Sequence, residues 1–591
     1  MIDYVPSTKK EIILKGLPAS PGIAMGSACL YIKDIPRVDE HRIDEGKIEQ
    51  EIERLRHANE KSIRELSKIL AFAQQKVGEG KAKIFEAQIM VLEDQILKKT
   101  ITDRIRCEKK NAEFIVSDEI GKYANLMLRA HDDYMHERAH DMEDLKNRII
   151  RNMQEEKLIS RLDGSIIVVA HTLTSADTMI LSRNHVLGYA TDLGGTTSHA
   201  ALFSRALKIP AVVGLGDITR EIETGDFLIL DGYGGTVIIR PTTNHVEEYE
   251  RKHKRFLKFE NKLAELKDLP AVTKDGHAIE LSANIELSEE LEYVMLQGSQ
   301  GVGLYRTESL LIGRDDFPTE DEQYYEYKKV ADRVYPNRVI MRTFDIGGDK
   351  IAPEMAEEAN PFLGWRGIRV CFDQPDLFMN QLRAMLRAST KKNLAIMFPM
   401  ISNINEVRRA KEYVQRAKAD LRAKNIKFNE KISVGVMIEV PSAALIAGQI
   451  AAEVDFLSIG SNDLTQYLLA VDRGNSLISG LYQEFDPSVL ITLKHVINAG
   501  HKHGIWVGIC GELAGNPLAT PLLIGLGMDE LSVVPGVLPE IKKIIRSLNY
   551  KKMQLVTRRA LNLETGDKIR EYLHNFIRKE IPEIPLEANN S

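Results

Sequence analysis

Eight short runs of β-forming residues recur at fairly even intervals through the second half of the chain, separated by helical patterns or long connections. Strands that alternate with helices favour a parallel sheet, and eight such units in about 300 residues are typical of a (β/α)8 barrel. We therefore predict a multidomain α/β protein with a TIM-type barrel in residues 272–591. The eight runs are residues 279–283, 301–305, 339–342, 394–398, 434–438, 456–459, 506–509 and 531–534.

Polar side chains stand where these runs end. In such a barrel, the C-terminal ends of the strands meet at the face that carries the chemistry. A single arginine there could serve a surface ion pair, whereas a whole set on one rim favours a binding site. The side chains at or just after the run ends are Asn284, Arg306, Arg342, Met400, Glu439, Ser461, Asn462, Asp463, Cys510 and Pro535, with Arg366 and Arg473 in nearby loops.

The residue types on this rim indicate the chemistry. Arginine guanidinium groups offer fork-shaped donors that bind phosphate and carboxylate. Glu439 and Asp463 offer hard oxygen ligands for Mg²⁺, and the Asn462 amide can donate to a phosphate oxygen. The Cys510 thiol could exchange a proton, although its type and position suit a small buried hydrophobic residue equally well. A small anion with phosphate, carboxylate and a protonatable carbon points to phosphoenolpyruvate.

The first half of the chain contains a histidine in surroundings that suit phosphate. Residues 194–199 read Gly-Gly-Thr-Thr-Ser-His and follow an apolar run at 186–191. A helix predicted over 199–207 would place His199 at its N-terminus, where the dipole disfavours imidazolium and favours a bound phosphate. His199 is therefore a candidate nucleophile that accepts and passes on a phosphoryl group. The alternative is a helix-capping Ser198 followed by a partly buried histidine.

A long helical segment interrupts the first half. Apolar residues recur at helical spacing from residue 45 to about 153, which predicts a helical bundle. The flanking segments, 1–44 and 154–241, carry short β-rich runs, and we expect them to form one α/β domain into which the bundle is inserted. Residues 242–271 are charged and helical in pattern, and we interpret them as a linker helix. The later β-rich runs of the first half are residues 166–170, 186–191, 211–214, 227–230 and 236–239.

Composition excludes several classes of partner. The formal net charge of −6 over 591 residues gives no basic surface for nucleic acid or anionic membranes. No apolar stretch is long enough to predict a transmembrane helix, and the N-terminus does not resemble a signal peptide. The four cysteines lie far apart without metal-ligand spacing, which is typical of a reducing compartment. We expect a cytoplasmic protein.

Taken together, the motifs resemble enzyme I, the phosphoenolpyruvate–protein phosphotransferase family of the bacterial sugar phosphotransferase system. The resemblance covers nearly the whole chain. The element around His199 alone would also fit pyruvate phosphate dikinase or phosphoenolpyruvate synthase. The matching motifs are residues 20–24, 194–199, 303–308, 342–350, 360–366, 460–467, 472–475 and 510–512.

This resemblance implies roles for individual residues. His199 is the phosphorylated residue, Cys510 is the proton donor that converts enolpyruvate to pyruvate, and Glu439 and Asp463 are the Mg²⁺ ligands. It also implies that the helical bundle binds the carrier protein HPr, that the barrel forms a homodimer, and that the histidine domain swivels between two partners. The residues matching substrate-binding positions are Arg306, Arg342, Asn462, Asp463 and Arg473, and Thr174 and Arg366 match further positions near the reacting groups.

Some positions depart from the family pattern. Thr196 stands where many members have arginine, and Ala200 stands where many have threonine. These departures leave the carrier open, so a regulatory-branch phosphotransferase with an HPr-like carrier is the alternative. A dikinase would need a nucleotide-binding domain before the histidine, where no glycine-rich phosphate loop is found. A regulatory interaction protein without activity would be expected to lose rim residues, and none is lost.

Overall fold

The computed structural model describes residues 9–31, 36–77, 79–128, 133–154, 165–183, 186–195, 198–311, 316–347, 360–473, 475 and 477–584. The chain divides into two compact units, one reaching to Leu257 and the other beginning at Lys258. Among the helices so described, none is long and apolar enough to cross a membrane. Each unit has its own hydrophobic core and is taken in turn.

An eight-stranded mixed sheet forms the centre of the first unit, in the order β1-β8-β7-β3-β4-β5-β6-β2. The run β3-β4-β5-β6 is parallel, and β3 pairs antiparallel with β7. The three N-terminal strands join this sheet, which confirms that the helices between β3 and β4 are an insertion. The strands are β1 Ile12–Lys15, β2 Leu17–Ser20, β3 Ile23–Tyr31, β4 Ile166–Ala170, β5 Val186–Thr191, β6 Ala211–Val213, β7 Phe227–Asp231 and β8 Thr236–Ile239.

The inserted helices form a bundle, as their apolar spacing predicts. On α1 the buried positions Leu66, Ile69 and Ala73 lie on one face, at spacings of three and four residues. The Asp94 side chain begins α3 by accepting a hydrogen bond from the Leu97 amide at 2.6 Å. The bundle helices are α1 Ile48–Val77, α2 Glu79–Glu93, α3 Gln95–Glu108, α4 Ala112–Leu128 and α5 Asp133–Met153.

Four further helices follow: α6 Ser175–Leu181, α7 His199–Leu207, α8 Ile218–Glu221 and α9 Thr243–Glu265. The bounds of α7 match the predicted helix, whereas α6 and α8 are too short for a period to show in the sequence. Helix α9 lies in the predicted linker region. Its first half packs on the sheet of the first unit, where Val246 is buried with Ile229 of β7 and Ile238 of β8.

A closed barrel of eight parallel strands forms the second unit, as predicted. Each strand lies within two residues of its predicted run. Because helices cover the outside, the strands are apolar nearly throughout, and all five residues of β12 are buried. The strands are β9 Glu280–Ile285, β10 Gly301–Arg306, β11 Arg338–Arg342, β12 Leu394–Phe398, β13 Ser433–Ile438, β14 Phe456–Ile459, β15 Trp506–Ile509 and β16 Glu530–Val533.

The barrel helices begin at strong local signals. Capping boxes start α11 at Thr319 with Glu322, and α14 at Asn403 with Glu406. The helices are α10 Leu291–Leu296, α11 Glu320–Val334, α12 Ile368–Asp373, α13 Pro375–Ala388, α14 Ile404–Ala423, α15 Pro441–Leu445, α16 Ala447–Ala451, α17 Ser461–Leu469, α18 Pro487–Lys502, α19 Thr520–Leu526, α20 Leu538–Ser547, α21 Tyr550–Ala560 and α22 Gly566–Glu580.

Candidate functional site

Strand register brings the predicted rim residues to one end of the barrel. Arg306, the last residue of β10, pairs in register with Arg342, the last residue of β11. Similarly, the end of β14 at Ile459 lies beside the ends of β13 and β15. The residues that follow these strands therefore start from the same level. Arg306 is partly exposed and forms an ion pair with Glu286.

Arg342 is held by two carboxylates. Its Nη1 lies 3.0 Å from Asp345 Oδ2, and its Nη2 lies 3.3 Å from Glu308 Oε1. Burial lowers the pKa of the guanidinium, but the charges of Glu308 and Asp345 outweigh that effect and raise it. Arg342 is therefore a permanently charged donor that is mostly shielded from solvent.

Arg366 continues this network toward the second half of the rim. Its Nε and Nη2 donate to the two oxygens of Asp345 at 3.2 and 2.9 Å, and Nη2 also lies 3.3 Å from Asp463 Oδ2. Burial alone would lower the pKa of Arg366, yet Asp345 and Asp463 keep it raised. Two arginines and three acids thus form one connected cluster.

Glu439 and Asp463 supply the carboxylates expected to hold a metal. Glu439 follows β13, is only 2% exposed, and accepts a hydrogen bond from the Met400 amide at 2.6 Å. Burial raises the pKa of Glu439, the nearby charges of Asp463 and Asp345 raise it further, and Arg342 partly opposes them. A Cβ atom at Gly460 would lie 2.8 Å from Glu439 Oε2, so glycine preserves the space beside this carboxylate.

This donor set fits Mg²⁺. A divalent cation would stabilise the ionised form of a buried carboxylate that lies near two others. Hard oxygen atoms are also the ligands that Mg²⁺ prefers. In the described part of the chain, no group of three or more histidine, cysteine, aspartate or glutamate side chains is arranged to hold a metal. Two protein carboxylates leave the other coordination positions to water and substrate, which is the usual arrangement for Mg²⁺.

Asn462 and Arg473 meet at a third carboxylate. The Asn462 amide donates to Glu512 Oε1 at 3.1 Å, and Arg473 Nη1 lies 3.0 Å from the same oxygen. The Glu512 amide donates back to Asn462 Oδ1 at 2.8 Å. A Cβ atom at Gly511 would lie 1.9 Å from Ser461 Oγ, so only glycine permits this approach of the two loops.

Cys510 lies beneath these polar groups at the end of β15. It is 3% exposed and packs in an apolar cluster that includes Leu304 and Met437. Its backbone carbonyl accepts a hydrogen bond from the side-chain amide of Asn284 (Nδ2) at 2.9 Å. Burial raises the pKa of the thiol to about 11, so it remains protonated at neutral pH. The thiol is therefore in the form that can donate a proton.

Four acids that hold the arginines were not predicted as site residues. They are Glu286, Glu308, Asp345 and Glu512. The available signal was spacing: Glu308 and Asp345 follow Arg306 and Arg342 by two and three residues within the quoted motifs. Sequence alone does not show which arginine an acid will contact, because Asp345 reaches Arg366 across a loop.

The predicted phosphoryl acceptor lies in the first unit. His199 is the first residue of α7, and Ser198 caps this helix by accepting a hydrogen bond from the Ala201 amide at 3.3 Å. Thr196 and the side chains of His199 and Ala200 lie outside the described residues. Thr174 caps α6 in a capping box with Asp177, whose carboxylate accepts from the Thr174 hydroxyl at 2.8 Å. The helix N-terminus thus provides amide donors beside the backbone of His199.

Comparisons with known proteins agree with this arrangement. Models of the PEP-utilising enzymes match over residues 15–138 (N-terminal), 162–235 (mobile domain) and 260–550 (PEP-binding domain). The phosphoenolpyruvate-protein phosphotransferase of Staphylococcus carnosus is 41% identical over 567 residues, covering 95% of this chain and 99% of the relative. The chain belongs to the phosphoenolpyruvate-protein phosphotransferase family. The namesake from Listeria monocytogenes is 42% identical over the same length, with the same coverage of both chains.

The two predicted centres of this phosphotransferase, His199 and the barrel rim, fall in two different matched domains. The mobile-domain match includes His199, and the PEP-binding match includes the arginine and carboxylate rim. A solved structure titled as an NMR solution structure of Enzyme I is 41% identical to the chain. It covers 41% of this chain and 99% of its own, with a TM-score of 0.37.

Proposed function

We propose that this protein transfers the phosphoryl group of phosphoenolpyruvate to its own His199 and then to a histidine of an HPr-type carrier protein, with release of pyruvate. The observation that carries the proposal is the convergence of Arg342 and Arg366 with Glu439 and Asp463 on one barrel rim. This rim lies within a matched PEP-binding domain. We further propose that this transfer is the first step of a sugar phosphotransferase system and that it takes place in the cytoplasm.

The rim suits a substrate with both phosphate and carboxylate. Arg306, Arg342 and Arg473 provide forked donors, and the Asn462 amide can donate once it leaves Glu512. Because Arg306 and Arg473 are partly exposed and pair with exposed carboxylates, a substrate anion can replace those partners. Arg342 keeps its contacts with Glu308 and Asp345 while it faces the substrate, and Arg366 keeps its contact with Asp345, so both provide fixed positive charge.

Glu439 and Asp463 are the residues that would hold Mg²⁺. When bound, the ion neutralises phosphate charge and orients the substrate. Glu439 is fixed by the Met400 amide, and Asp463 lies in the first turn of α17. Both carboxylates therefore have defined positions before substrate arrives, which is the condition for effective electrostatic stabilisation.

The chemistry then requires two transfers. A nitrogen of His199 attacks phosphorus, the bond from phosphorus to the enol oxygen breaks, and enolpyruvate leaves with that electron pair. The methylene carbon of enolpyruvate takes a proton from the Cys510 thiol, which gives pyruvate. Most of the rate enhancement is expected from positioning and charge neutralisation, as in other phosphoryl transfers.

The second acceptor is a separate protein. We assign HPr binding to the helical insertion, residues 45–153, and homodimer formation to the barrel. His199 must reach both the rim and the carrier, so the α/β domain is expected to swivel as a rigid body. The departures at Thr196 and Ala200 flank the histidine, where a carrier with altered preference would be recognised.

The test uses phosphoenolpyruvate labelled at phosphorus, Mg²⁺ and the full chain. We expect an acid-labile label on the protein, no label on the His199→Ala variant, and transfer of the label to added HPr. A label that survives His199→Ala would contradict the proposal. Label that forms on His199 but passes to no HPr-type carrier would contradict the second step alone.

A further inference from the structure

Asp345 is a buried carboxylate that has no substrate or metal contact in the proposed mechanism. Its side chain is 4% exposed. Its oxygens accept the Nε and Nη2 hydrogens of Arg366, and Oδ2 also lies 3.0 Å from Arg342 Nη1. One carboxylate therefore fixes two guanidinium groups, that of Arg342 at the end of β11 and that of Arg366 in a loop.

The backbone holds Asp345 rigidly opposite Arg366. Its amide donates to Glu308 Oε1 at 2.7 Å, and an isolated antiparallel bridge joins Gly347 to Arg366. Gly367 has φ of +60°, and a Cβ atom there would lie 3.1 Å from Asp345 Oδ1. The close approach of the two loops is thus built into the fold rather than left to the side chains.

Arg366 contacts two carboxylates, those of Asp345 and Asp463. It makes two hydrogen bonds to Asp345 but only a 3.3 Å contact with Asp463. A two-pronged pairing of guanidinium with carboxylate is the stronger arrangement. The Arg366 guanidinium and a divalent metal ion would compete for the same oxygen of Asp463. The closer Arg366 stays to Asp345, the more available Asp463 is to the metal ion.

We propose that Asp345 is a positioning residue for the metal site, which anchors Arg366 so that Asp463 stays available to a divalent cation. This inference rests on the proposed function, in which Glu439 and Asp463 hold Mg²⁺. Without the Asp345 charge, Arg366 is free to turn fully onto Asp463 and displace the ion.

The test is a titration with Mn²⁺, whose free form is counted by electron paramagnetic resonance. The parent is full-length His199→Ala with phosphoenolpyruvate present, because this variant does not consume the substrate. Mn²⁺ held by phosphoenolpyruvate alone is subtracted. We expect Asp345→Asn to weaken Mn²⁺ binding about 10- to 100-fold, the usual effect of losing a residue that orients a metal ligand.

Two further variants separate this role from a general structural one. Arg366→Gln should bind Mn²⁺ at least as tightly as the parent, and adding Arg366→Gln to Asp345→Asn should restore binding. Asp373→Asn is the control, because the exposed Asp373 accepts a hydrogen bond from the Trp365 indole at 2.8 Å, next to Arg366 in the chain, and belongs to neither the arginine cluster nor the metal ligands. Its Mn²⁺ affinity should stay near that of the parent.

Unchanged Mn²⁺ affinity in Asp345→Asn, or a double variant as weak as that single variant, would overturn the inference. If Asp345→Asn does not fold, as judged by the fluorescence of Trp365 and Trp506, Asp345→Ser is measured instead; it also removes the charge, and it too must bind Mn²⁺ more weakly. If the His199→Ala parent binds no Mn²⁺, the assignment of Glu439 and Asp463 as metal ligands is wrong, and the proposed role of Asp345 is wrong as well. A parent that binds while Asp345→Asn is unaffected overturns only the role of Asp345.

Discussion

Replacing Glu530 by glutamine should change how barrel stability depends on pH. Glu530 begins β16, is 1% exposed, and neither of its carboxyl oxygens has a hydrogen-bond partner at normal geometry among the residues that the structure describes. It lies inside the barrel, where Cβ atoms at Gly303 and Gly508 would come within 2.7 and 2.6 Å of its oxygens. Burial raises the pKa of Glu530 to about 7, with Glu280 adding to the rise and Arg338 opposing it.

The direction of the effect follows from linkage. Because the pKa is higher in the folded state, the folded barrel favours protonated Glu530. The free energy of unfolding is therefore highest below the unfolded pKa of 4.5, falls as pH rises to about 7, and then levels off. The difference between the two pKa values corresponds to about 3 kcal/mol lost at pH 8. Glutamine is neutral throughout, and its unpartnered amide costs about 1 kcal/mol.

The assay is urea unfolding followed by tryptophan fluorescence. Both tryptophans of the chain, Trp365 and Trp506, lie in the barrel unit, so the signal reports that unit. Relative to wild type, Glu530→Gln should gain about 2 kcal/mol at pH 8 and little or nothing at pH 5. Glu292→Gln, an exposed change on α10, is the control and should leave the profile unchanged. Parallel pH profiles for wild type and Glu530→Gln would refute the reasoning.

Three further variants test the site and the fold. Cys510→Ala should slow pyruvate formation about 100-fold by removing the proton donor, while His199 is still phosphorylated; normal pyruvate release would exclude that role. Gly511→Ala places a Cβ atom 1.9 Å from Ser461 Oγ and 2.8 Å from Asn462 Oδ1, so kcat/KM should fall about 100-fold. Gly448→Ala, which has open space around it, is its control, and equal activity of the two variants would contradict the packing argument. Thr319→Ala removes the cap of α11, where Thr319 Oγ1 accepts from the Glu322 amide, and should lower barrel stability by about 1 kcal/mol in the urea assay. An unchanged unfolding curve would show that this cap adds nothing.

The barrel could be predicted from sequence because its strands are buried on both faces and read as short apolar runs between helical patterns. The register between strands decides which strand ends lie side by side. Because neighbouring strands are parallel, the adjacency of Arg306 and Arg342 could be predicted. Helices α6 and α8 were not predicted, because seven and four residues are too few to show a period.

The acids around the rim could be predicted only in part from the sequence. Arginine, glutamate and aspartate at strand ends could be interpreted by residue type, and this gave Arg342, Glu439 and Asp463. The role of Asp345 depends on a loop that turns back to bring Arg366 beside it. Such a contact depends on three-dimensional packing, and no spacing in the chain encodes it. The same applies to Glu512, which joins Asn462 and Arg473 from a different strand end.

The central claim is that one phosphoryl group passes from phosphoenolpyruvate to His199. The most direct measurement incubates the full chain with phosphoenolpyruvate and Mg²⁺, without a carrier, and follows both products. Pyruvate is counted per chain, and the modified residue is located by peptide mass mapping at neutral pH. We expect one pyruvate per chain and a phosphoryl group on the peptide that contains His199. Pyruvate release without phosphorylated His199, or a phosphoryl group on any other residue, would contradict it.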